Sequence, residues 1–455
     1  MLRNSQYALA VLLSLGMLSQ SFAVGTAGFG NEAFSARSLG EGGVGVAGTT
    51  EDLGAIYANP AAVTTLAGTQ ATIGGTWENL HASYEGNNQS SNMRSIDVGV
   101  PNLAVTRSLM NNKLGAGLGV FSTYGLETHW PGDGSLRYIA TNSRLHIIDV
   151  TPSVAYQILP QLSFGIGADY FNLNTADLEK NVNMNNLNNA ILISNGFPPA
   201  FAGLSDADSK LSGSAANWGY HTGLMYRPNE QHSFGLVYHS PVKLNINGSV
   251  SLTNISGAPA QAVFGGSNYT TSAYTDLYLP QNLQFGYSYQ PNDKWQFELD
   301  TAWYGWDSNK DLNVRYPDAT AAQIALLTNN GAGNPTPLNW HNTWNLETGL
   351  NYKYDEHLQL RGGFYYEPAI VPESSFSPSL PDLSRYALTI GTGYAFTPSF
   401  LVDLAYNAIF EHNRSINNSI GQNSTGDPTV TTAGTYKNFT NLISLNLTYR
   451  FAGSH

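Results

Sequence analysis

Apolar and polar residues alternate with a period of two in one segment after another between residues 69 and 451. The last segment is the clearest case. Its apolar set is Phe439, Ile443, Leu445, Leu447, Tyr449 and Phe451, and its polar set is Thr440, Ser444, Asn446, Thr448 and Arg450. Because successive side chains of a strand point to opposite faces, each such segment predicts a strand with one apolar and one polar face.

The connections between these segments alternate between short and long. Short ones, such as residues 110–113, 159–161 and 291–293, carry the Asn, Asp or Pro of tight turns. The long ones are residues 179–212, 251–275, 316–338, 367–384 and 411–437. Short turns on one side and long loops on the other are typical of outer-membrane barrels. We therefore predict an all-β membrane protein, a transmembrane antiparallel β-barrel of about 14 strands. A soluble β-sandwich with the same alternation is the weaker alternative.

The composition suits this fold and excludes several other classes of protein. Charged residues are 11% of the 455 residues, against about 25% in soluble proteins. The net charge of −12 argues against a nucleic-acid partner. The absence of cysteine excludes thiol catalysis and disulfide bonds. Aromatic residues near predicted strand ends, among them Trp130 and Trp306, are expected to form the aromatic belts at the membrane surface.

The beginning of the chain has the features of a secretory signal peptide, residues 1–23. Arg3 supplies the positive charge, residues 7–18 are apolar, and Ser21-Phe22-Ala23 is a small-residue cleavage site. The following segment, residues 24–68, is glycine-rich and does not alternate. Side chains fill a barrel of about eight strands, whereas about 16 to 18 strands leave an aqueous channel. A barrel of intermediate size needs a plug, so we predict that residues 24–68 are an N-terminal hatch in the lumen. The barrel would span residues 69–451, and residues 452–455 would be a C-terminal tail.

Several short motifs occur in a fixed order along the chain. They are Ala27-Gly28-Phe29 with Asn31-Glu32, Asn59-Pro60-Ala61 after Glu51-Asp52, residues 120–126, residues 279–306 and residues 361–382. Each motif alone is modest, but their order and spacing resemble the FadL family of outer-membrane transporters for long-chain fatty acids and other hydrophobic compounds. The resemblance covers nearly the whole exported chain. Residues 24–26 before the Ala-Gly-Phe start and the four residues after Phe451 depart from the family pattern.

The resemblance implies a site and a transport route. Extracellular loops would capture the ligand, an apolar pocket would hold it, and a gap in the barrel wall would release it sideways into outer-membrane lipid. The implied residues are Gly28 and Phe29 in the pocket, Asn59, Pro60 and Ala61 as the hatch motif, and Ser122, Thr123, Tyr124 and Gly125 at a kink in the third strand. The ligands would be hydrophobic small molecules, long-chain fatty acids first and aromatic hydrocarbons second. The family also implies a monomer without a cofactor. No motif identifies the basic residues that would bind a carboxylate.

Two features of the residues themselves agree with this route. Gly115, Gly117, Gly119 and Gly125 lack side chains on the lumen side of the third strand, which weakens the strand, makes room for the plug, or does both. One long loop is apolar at Ile191, Leu192, Ile193, Phe197 and Phe201. Such a patch predicts a groove that captures the ligand, or a short helix that only packs on its own loop.

Other chemistry has little support in the sequence. Residues 43–48 match GxGxxG, but no strand precedes them and no acidic residue follows at the spacing of a dinucleotide site. The ten histidines show no metal-binding spacing, so we expect no metal. Pairs such as Ser233 and His239 are too easily drawn to indicate a hydrolase, and we expect no enzyme. A barrel adhesin or enzyme with an inert lumen, and an open diffusion porin, remain as alternatives.

Overall fold

The computed structural model describes residues 28–31, 34–48, 52–329, 331–427 and 429–451. The predicted signal peptide, the predicted tail and the motif residues Ala27, Glu32 and Glu51 lie outside the described residues. Within that part of the chain, fourteen long antiparallel strands form a closed barrel, as predicted. Each strand pairs with the next, and the first pairs with the last from Thr69–Phe451 to Glu85–Thr435.

Three of the fourteen strands, β3, β7 and β8, consist of two segments each. The strands are β1 (Thr69–Gly86), β2 (Ile96–Leu109), β3 (Leu114–Phe121 and Gly125–His129), β4 (Asn142–Leu159), β5 (Leu162–Val182), β6 (Ala207–Tyr226), β7 (His232–His239 and Val242–Thr253), β8 (Tyr269–Leu279 and Asn282–Asn292), β9 (Trp295–Tyr304), β10 (Thr343–Lys353), β11 (Leu358–Glu367), β12 (Arg385–Thr397), β13 (Phe400–Glu411) and β14 (Gly434–Phe451). Long connections follow the odd-numbered strands and short ones follow the even-numbered strands, so the two kinds lie at opposite ends of the barrel.

The outer face of the barrel is apolar and the inner face is polar. In β14, Leu445 and Tyr449 are 45% and 47% exposed, whereas Ser444 and Asn446 are 1% and 3% exposed. The alternation predicted for this strand is therefore confirmed. A polar inner face and an apolar outer face suit a barrel whose outer surface contacts lipid.

The segment before the barrel contacts its inner face on opposite sides. It contains the helices α1 (Ala36–Gly40) and α2 (Ala55–Ala58) and a 3-10 helix (Pro60–Thr65). Helix α1 contacts β11 to β14 and β1, whereas the 3-10 helix contacts β2 to β6. Nearly all of its described side chains are buried. These contacts put the described part of residues 34–68 inside the ring of strands.

The long loops carry the remaining helices: α3 (Met184–Ser194), α4 (Ala258–Phe264), α5 (Ala321–Leu327) and α6 (Ile420–Thr425). Two single-turn 3-10 helices (Trp306–Ser308 and Glu373–Ser375) and short strand pieces (Gln89–Asn92, Asp311–Leu312, Thr336–Pro337 and Arg414–Ile416) complete the loops. Helices α3 and α4 pack around Met184, Ala260 and Phe264 in a core of their own. Among the described helices, none has the length and apolar character needed to cross a membrane.

Candidate functional site

Strand β3 is interrupted between Phe121 and Gly125, and its ladder with β2 stops near the same level. The pairing of β2 with β3 runs from Leu103–Val120 to the turn. Beyond it, residues 96–102 of β2 pair with β1, and no pairing with β3 occurs among the described residues. The wall therefore has a gap in its hydrogen bonding between β2 and β3.

Strand β4, the neighbour of β3 on the side away from β2, forms hydrogen bonds with the interrupted segment. The Ser122 hydroxyl donates to the Ile147 carbonyl (2.7 Å), and the Thr123 amide donates to Asp149 Oδ1 (3.0 Å). The β4–β5 register also shifts next to Ile147. The predicted kink residues thus lie at a real break in β3, and side chains replace part of the lost ladder there.

The first described residues, 28–31, run beside this break. An antiparallel bridge joins Gly30 to Tyr124. The Gly125 amide donates to the Phe29 carbonyl at 2.8 Å. The N-terminal segment therefore takes up backbone groups of β3 that the barrel ladder leaves free.

A loop carboxylate fixes the start of this segment. One oxygen of Asp382 accepts the Gly28 amide (3.0 Å), and the other accepts the amides of Ile370 and Val371 (2.7 and 2.8 Å). Gly28 has φ +73°, and a Cβ there would lie 2.5 Å from Ile370 Cδ1. Glycine fits this position because it has neither the steric penalty at positive φ nor the colliding atom.

Phe29 packs in a cage of buried aromatic rings. Its ring centroid lies 5.1 Å from Trp306, 5.7 Å from Trp340 and 6.0 Å from Tyr124, all edge to face. Trp306 is 2% exposed and Trp130 is 1% exposed, so the prediction that they belong to the aromatic belts is wrong. Both rings face inward and pack in the core, where burial of large apolar area contributes more than an interfacial position.

A cavity of about 310 Å³ borders Phe29. Most of its wall is apolar and comes from strands and long loops; it includes Phe29, Leu126, Leu145, Leu211, Leu277, Leu338, Trp340 and Val371. Its volume is at the lower end of the range of about 300–1,000 Å³ for small-molecule sites. The predicted pocket residue Phe29 is thus placed at an apolar cavity, whereas Gly28 is held beside it by Asp382.

Three charged residues line the same cavity. Asp177 and Glu179 each form an ion pair with Lys210 (3.0 Å). Lys180 directly follows Glu179 in sequence, and among the described residues it has no ion-pair partner. Tyr316, from a loop outside the barrel strands, also lines the cavity; burial raises the pKa of its phenol to about 12, so the hydroxyl stays protonated. No sequence motif pointed to Lys180.

A smaller cavity lies near the break in β3. Its volume is about 20 Å³, and Gly30, Asn31, Thr123, Tyr124 and Trp306 are among its lining residues. Phe29 lines the large cavity, and its neighbours Gly30 and Asn31 line the small one. The N-terminal segment therefore separates the apolar cavity from the space beside the gap.

The predicted hatch motif is buried against β5 and β6. Asn59 is fully buried; its Oδ1 accepts the Ala61 amide (3.0 Å) and its Nδ2 donates to the Val46 carbonyl (2.6 Å). Asn59 thus caps the 3-10 helix that begins at Pro60. The side chain ties two parts of the inner segment together.

Glycines of the barrel wall make room for this motif. Gly165 and Gly223 are direct partners across β5 and β6. A Cβ on Gly165 would lie 2.4 Å from the Ala61 amide nitrogen, and one on Gly223 would lie 2.2 Å from Asn59 Oδ1. Of the glycines singled out in β3, Gly115 and Gly117 likewise face the inner segment, at Val63 and Ile56, whereas a Cβ on Gly119 would meet the Phe121 ring.

The GxGxxG stretch binds carboxylates of the barrel. The amides of Gly45 and Val46 donate to Asp300 Oδ2 (2.9 Å each), and those of Ala47 and Gly48 donate to Glu298 Oε1 (2.8 Å each). Successive backbone amides in such a loop form a concave anion site. Here two acidic side chains of β9 occupy it and fasten the inner segment.

The five apolar loop residues predicted to capture the ligand lie in and after α3. None of them is among the residues that line the 310 Å³ cavity. Ile193 and Phe197 are 59% and 61% exposed, whereas Ile191 packs partly on the α3–α4 core. Leu192 and Phe201 are half-buried. The capture role of Ile191, Leu192, Ile193, Phe197 and Phe201 therefore stays a prediction.

Comparison with known proteins identifies the family to which this barrel belongs. Residues 17–451 match the family described as "Outer membrane protein transport protein (OMPP1/FadL/TodX)". The "Long-chain fatty acid transport protein" of Escherichia coli O6:H1 is 25% identical over 91% of this chain and 92% of its own. "Outer membrane protein P1" of Haemophilus influenzae is 24% identical over 97% and 98% of the two chains.

Two solved structures show the same fold. The crystal structure of a Pseudomonas aeruginosa FadL homologue has a TM-score of 0.80 at 19% identity and covers 93% of this chain and 100% of its own. That of the Ralstonia pickettii toluene transporter TbuX has a TM-score of 0.66 at 19% identity, with 92% and 99% covered. The chain is therefore an outer-membrane β-barrel that belongs to the OMPP1/FadL/TodX family of transport proteins.

Proposed function

We propose that this protein takes up hydrophobic molecules across the outer membrane, with long-chain fatty acids as the first ligand class. The observation that carries the proposal is the 310 Å³ apolar cavity, which is lined by both Phe29 and Lys180, a lysine without an ion-pair partner in the described part of the chain. Relatives named for transport of long-chain fatty acids and of toluene support the hydrophobic character of the ligand. We propose no enzymatic role, and we expect a monomer.

The proposed route avoids water. Each CH₂ group gains about 0.8 kcal/mol on leaving water, so a C16 chain gains about 12 kcal/mol. Such a ligand needs an apolar path rather than an aqueous pore. It would enter over the loop residues around α3, bind in the cavity, pass Phe29 and leave through the β2–β3 gap into lipid. The segment that contains the Asn59-Pro60-Ala61 motif would be the hatch that keeps the lumen closed.

Lys180 favours fatty acids over aromatic hydrocarbons. A lysine in an apolar cavity lacks the hydration of an exposed one, and a carboxylate headgroup restores a charged partner. A toluene-like ligand offers no such group. Fatty acids are therefore the better match, and aromatic hydrocarbons are the second candidate.

Replacing Lys180 with methionine tests this choice. A hydrogen bond to a charged group contributes about 1.5–3 kcal/mol, so the apparent KM for oleate uptake should rise by roughly 10- to 150-fold while toluene uptake is unchanged. Lys180→Arg should keep oleate uptake. Lys243→Met is the matched control, because Lys243 pairs with Asp276 and does not line the cavity. An unchanged KM for oleate in Lys180→Met would remove the argument for a carboxylate ligand.

Uptake of labelled oleate and labelled toluene by cells with and without the protein tests the function as a whole. We expect faster uptake of oleate when the protein is present; equal uptake of both compounds with and without it would reject the proposal. Deleting Asn59–Ala61 separates the alternatives. A transporter loses uptake while the barrel still inserts, whereas an adhesin with an inert lumen keeps its binding.

A further inference from the structure

Three ionisable side chains that the proposed function does not use meet inside the barrel. Asp169 on β5, His221 on β6 and His239 on β7 are 1%, 0% and 4% exposed. Their potential ligand atoms all lie within 4.8 Å of one another. Asp169 Oδ1 is 2.9 Å from His221 Nδ1, and the two imidazole rings stack with centroids 5.1 Å apart.

The surroundings of His221 fix its other nitrogen. Nε2 lies 2.9 Å from the Ile56 carbonyl oxygen, which can only accept a hydrogen bond, and 3.3 Å from the Ser153 hydroxyl, which donates its own proton to that carbonyl (3.1 Å). Nε2 therefore carries a proton. Nδ1 then faces the Asp169 carboxylate either with a second proton or with a lone pair. A lone pair pointing at a carboxylate is repulsive unless a cation lies between them.

The environment of His239 favours a metal cation over a second proton between His221 and Asp169. Neither of its ring nitrogens has a hydrogen-bond partner in the described part of the chain, although the ring is buried against Tyr57 with centroids 4.5 Å apart. A buried polar group without a partner costs about 1–3 kcal/mol. A second proton on His221 would satisfy Asp169 and leave His239 without a partner. A metal ion would pair with Asp169, His221 and one of the two ring nitrogens of His239.

We propose that Asp169, His221 and His239 bind one divalent transition-metal ion of the zinc class between the barrel wall and the inner segment. Two imidazoles and one carboxylate are a donor set that zinc takes, whereas calcium and magnesium prefer oxygen ligands throughout. Two ligand atoms of a tetrahedral zinc lie about 3.3 Å apart, so Asp169 Oδ1 and His221 Nδ1, which are 2.9 Å apart, would separate slightly when the ion replaces the proton between them. The His221–Ile56 hydrogen bond is the outer contact that orients a ligating histidine. Because the three potential ligand atoms lie within 4.8 Å of one another rather than at the spacing set by zinc–nitrogen bonds of about 2.0–2.1 Å, His239 would move inward when the ion binds.

The site does not depend on the proposed transport, so binding is measured directly. The full chain is refolded from urea into detergent with a chelator or with zinc sulfate, desalted, and analysed for zinc by mass spectrometry. We expect one zinc per chain after refolding with zinc, and at least a tenfold lower zinc content for His239→Gln. His232→Gln is the matched control, because His232 is on the same strand and bonds to the Tyr287 hydroxyl. Zinc should also raise the unfolding temperature of the wild type but not of His239→Gln.

Two outcomes would overturn the proposal: less than a tenth of an equivalent of zinc in the wild type, or the same zinc content in His239→Gln. Either result would leave a protonated His221–Asp169 pair as the whole arrangement. If His239→Gln fails to fold, cobalt(II) replaces zinc in the wild type. Visible absorption bands of tetrahedral cobalt would then support the site, and the spectrum of free aqueous cobalt would reject it.

Discussion

Replacing Gly165 with valine is expected to produce a barrel that conducts ions steadily in planar bilayers, where the wild type does not. A Cβ at this position would lie 2.4 Å from both the Ala61 amide nitrogen and the Pro60 carbonyl carbon. These atoms are backbone of the 3-10 helix, so they cannot rotate away as a side chain would. Overpacking costs about 1–3 kcal/mol, which raises the population with a displaced inner segment by about 5- to 150-fold. The measurement is single-channel current in a lipid bilayer.

The control for this prediction is Gly362→Val, on β11. A Cβ on Gly362 has only one neighbour within 4 Å, the Thr389 carbonyl oxygen at 3.7 Å. This variant carries the same change in mid-strand without pressing on the inner segment, and it should stay closed. Steady current through the wild type, or a closed Gly165→Val barrel that has folded normally, would show that residues 34–68 do not plug the lumen.

The barrel could be predicted from short stretches of sequence because the alternation that indicates each strand arises within that strand. The period of two in β14 follows from the pleat of a single strand, and membrane burial leaves each strand one apolar face. The alternation of short turns and long loops further predicted that these strands are antiparallel and form a closed ring. The kink at Ser122–Gly125 came only from resemblance, because a broken ladder depends on partners in other strands.

The site itself depends on contacts between distant residues, which a single sequence does not display. Phe29 packs against Trp306 and Trp340, which come from a loop about 300 residues further along the chain, and Trp306 looks like a belt residue in isolation. His221 and His239 are direct partners across β6 and β7, yet 18 positions separate them in the chain. Strand register, which sets such pairs, is fixed by turns and by the whole barrel.

The four backbone amides of residues 45–48 show that a motif recognised in the sequence does not identify its binding partner either. The sequence around the GxGxxG match lacks the context of a dinucleotide site, and in the fold its four amides bind two carboxylates. The anion is part of the protein, in β9. A short motif indicates which backbone geometry can bind a ligand. Which group binds there depends on the fold around the motif.

An engineered disulfide between Gly30→Cys and Tyr124→Cys is expected to reduce oleate uptake at least tenfold under oxidising conditions. Gly30 and Tyr124 are bridge partners, and opposed residues of an antiparallel pair have Cβ atoms about 4.5–5.5 Å apart, close to the span of a disulfide. The chain has no cysteine, so only this pair can form. The bond would hold the N-terminal segment between the two cavities, and a ligand that must pass Phe29 would be trapped in the apolar one.

Reduction with dithiothreitol gives the decisive comparison, because it restores mobility without changing the sequence. Uptake by the reduced double variant should return to the level of the Tyr124→Cys single variant, which accounts for the lost aromatic ring. The Gly30→Cys single variant controls for the added side chain. Equal uptake by the oxidised and reduced double variant, with the disulfide verified by mass spectrometry, would mean that the ligand leaves without displacing residues 28–31. The lateral route past Phe29 would then be wrong, even if the protein transports oleate.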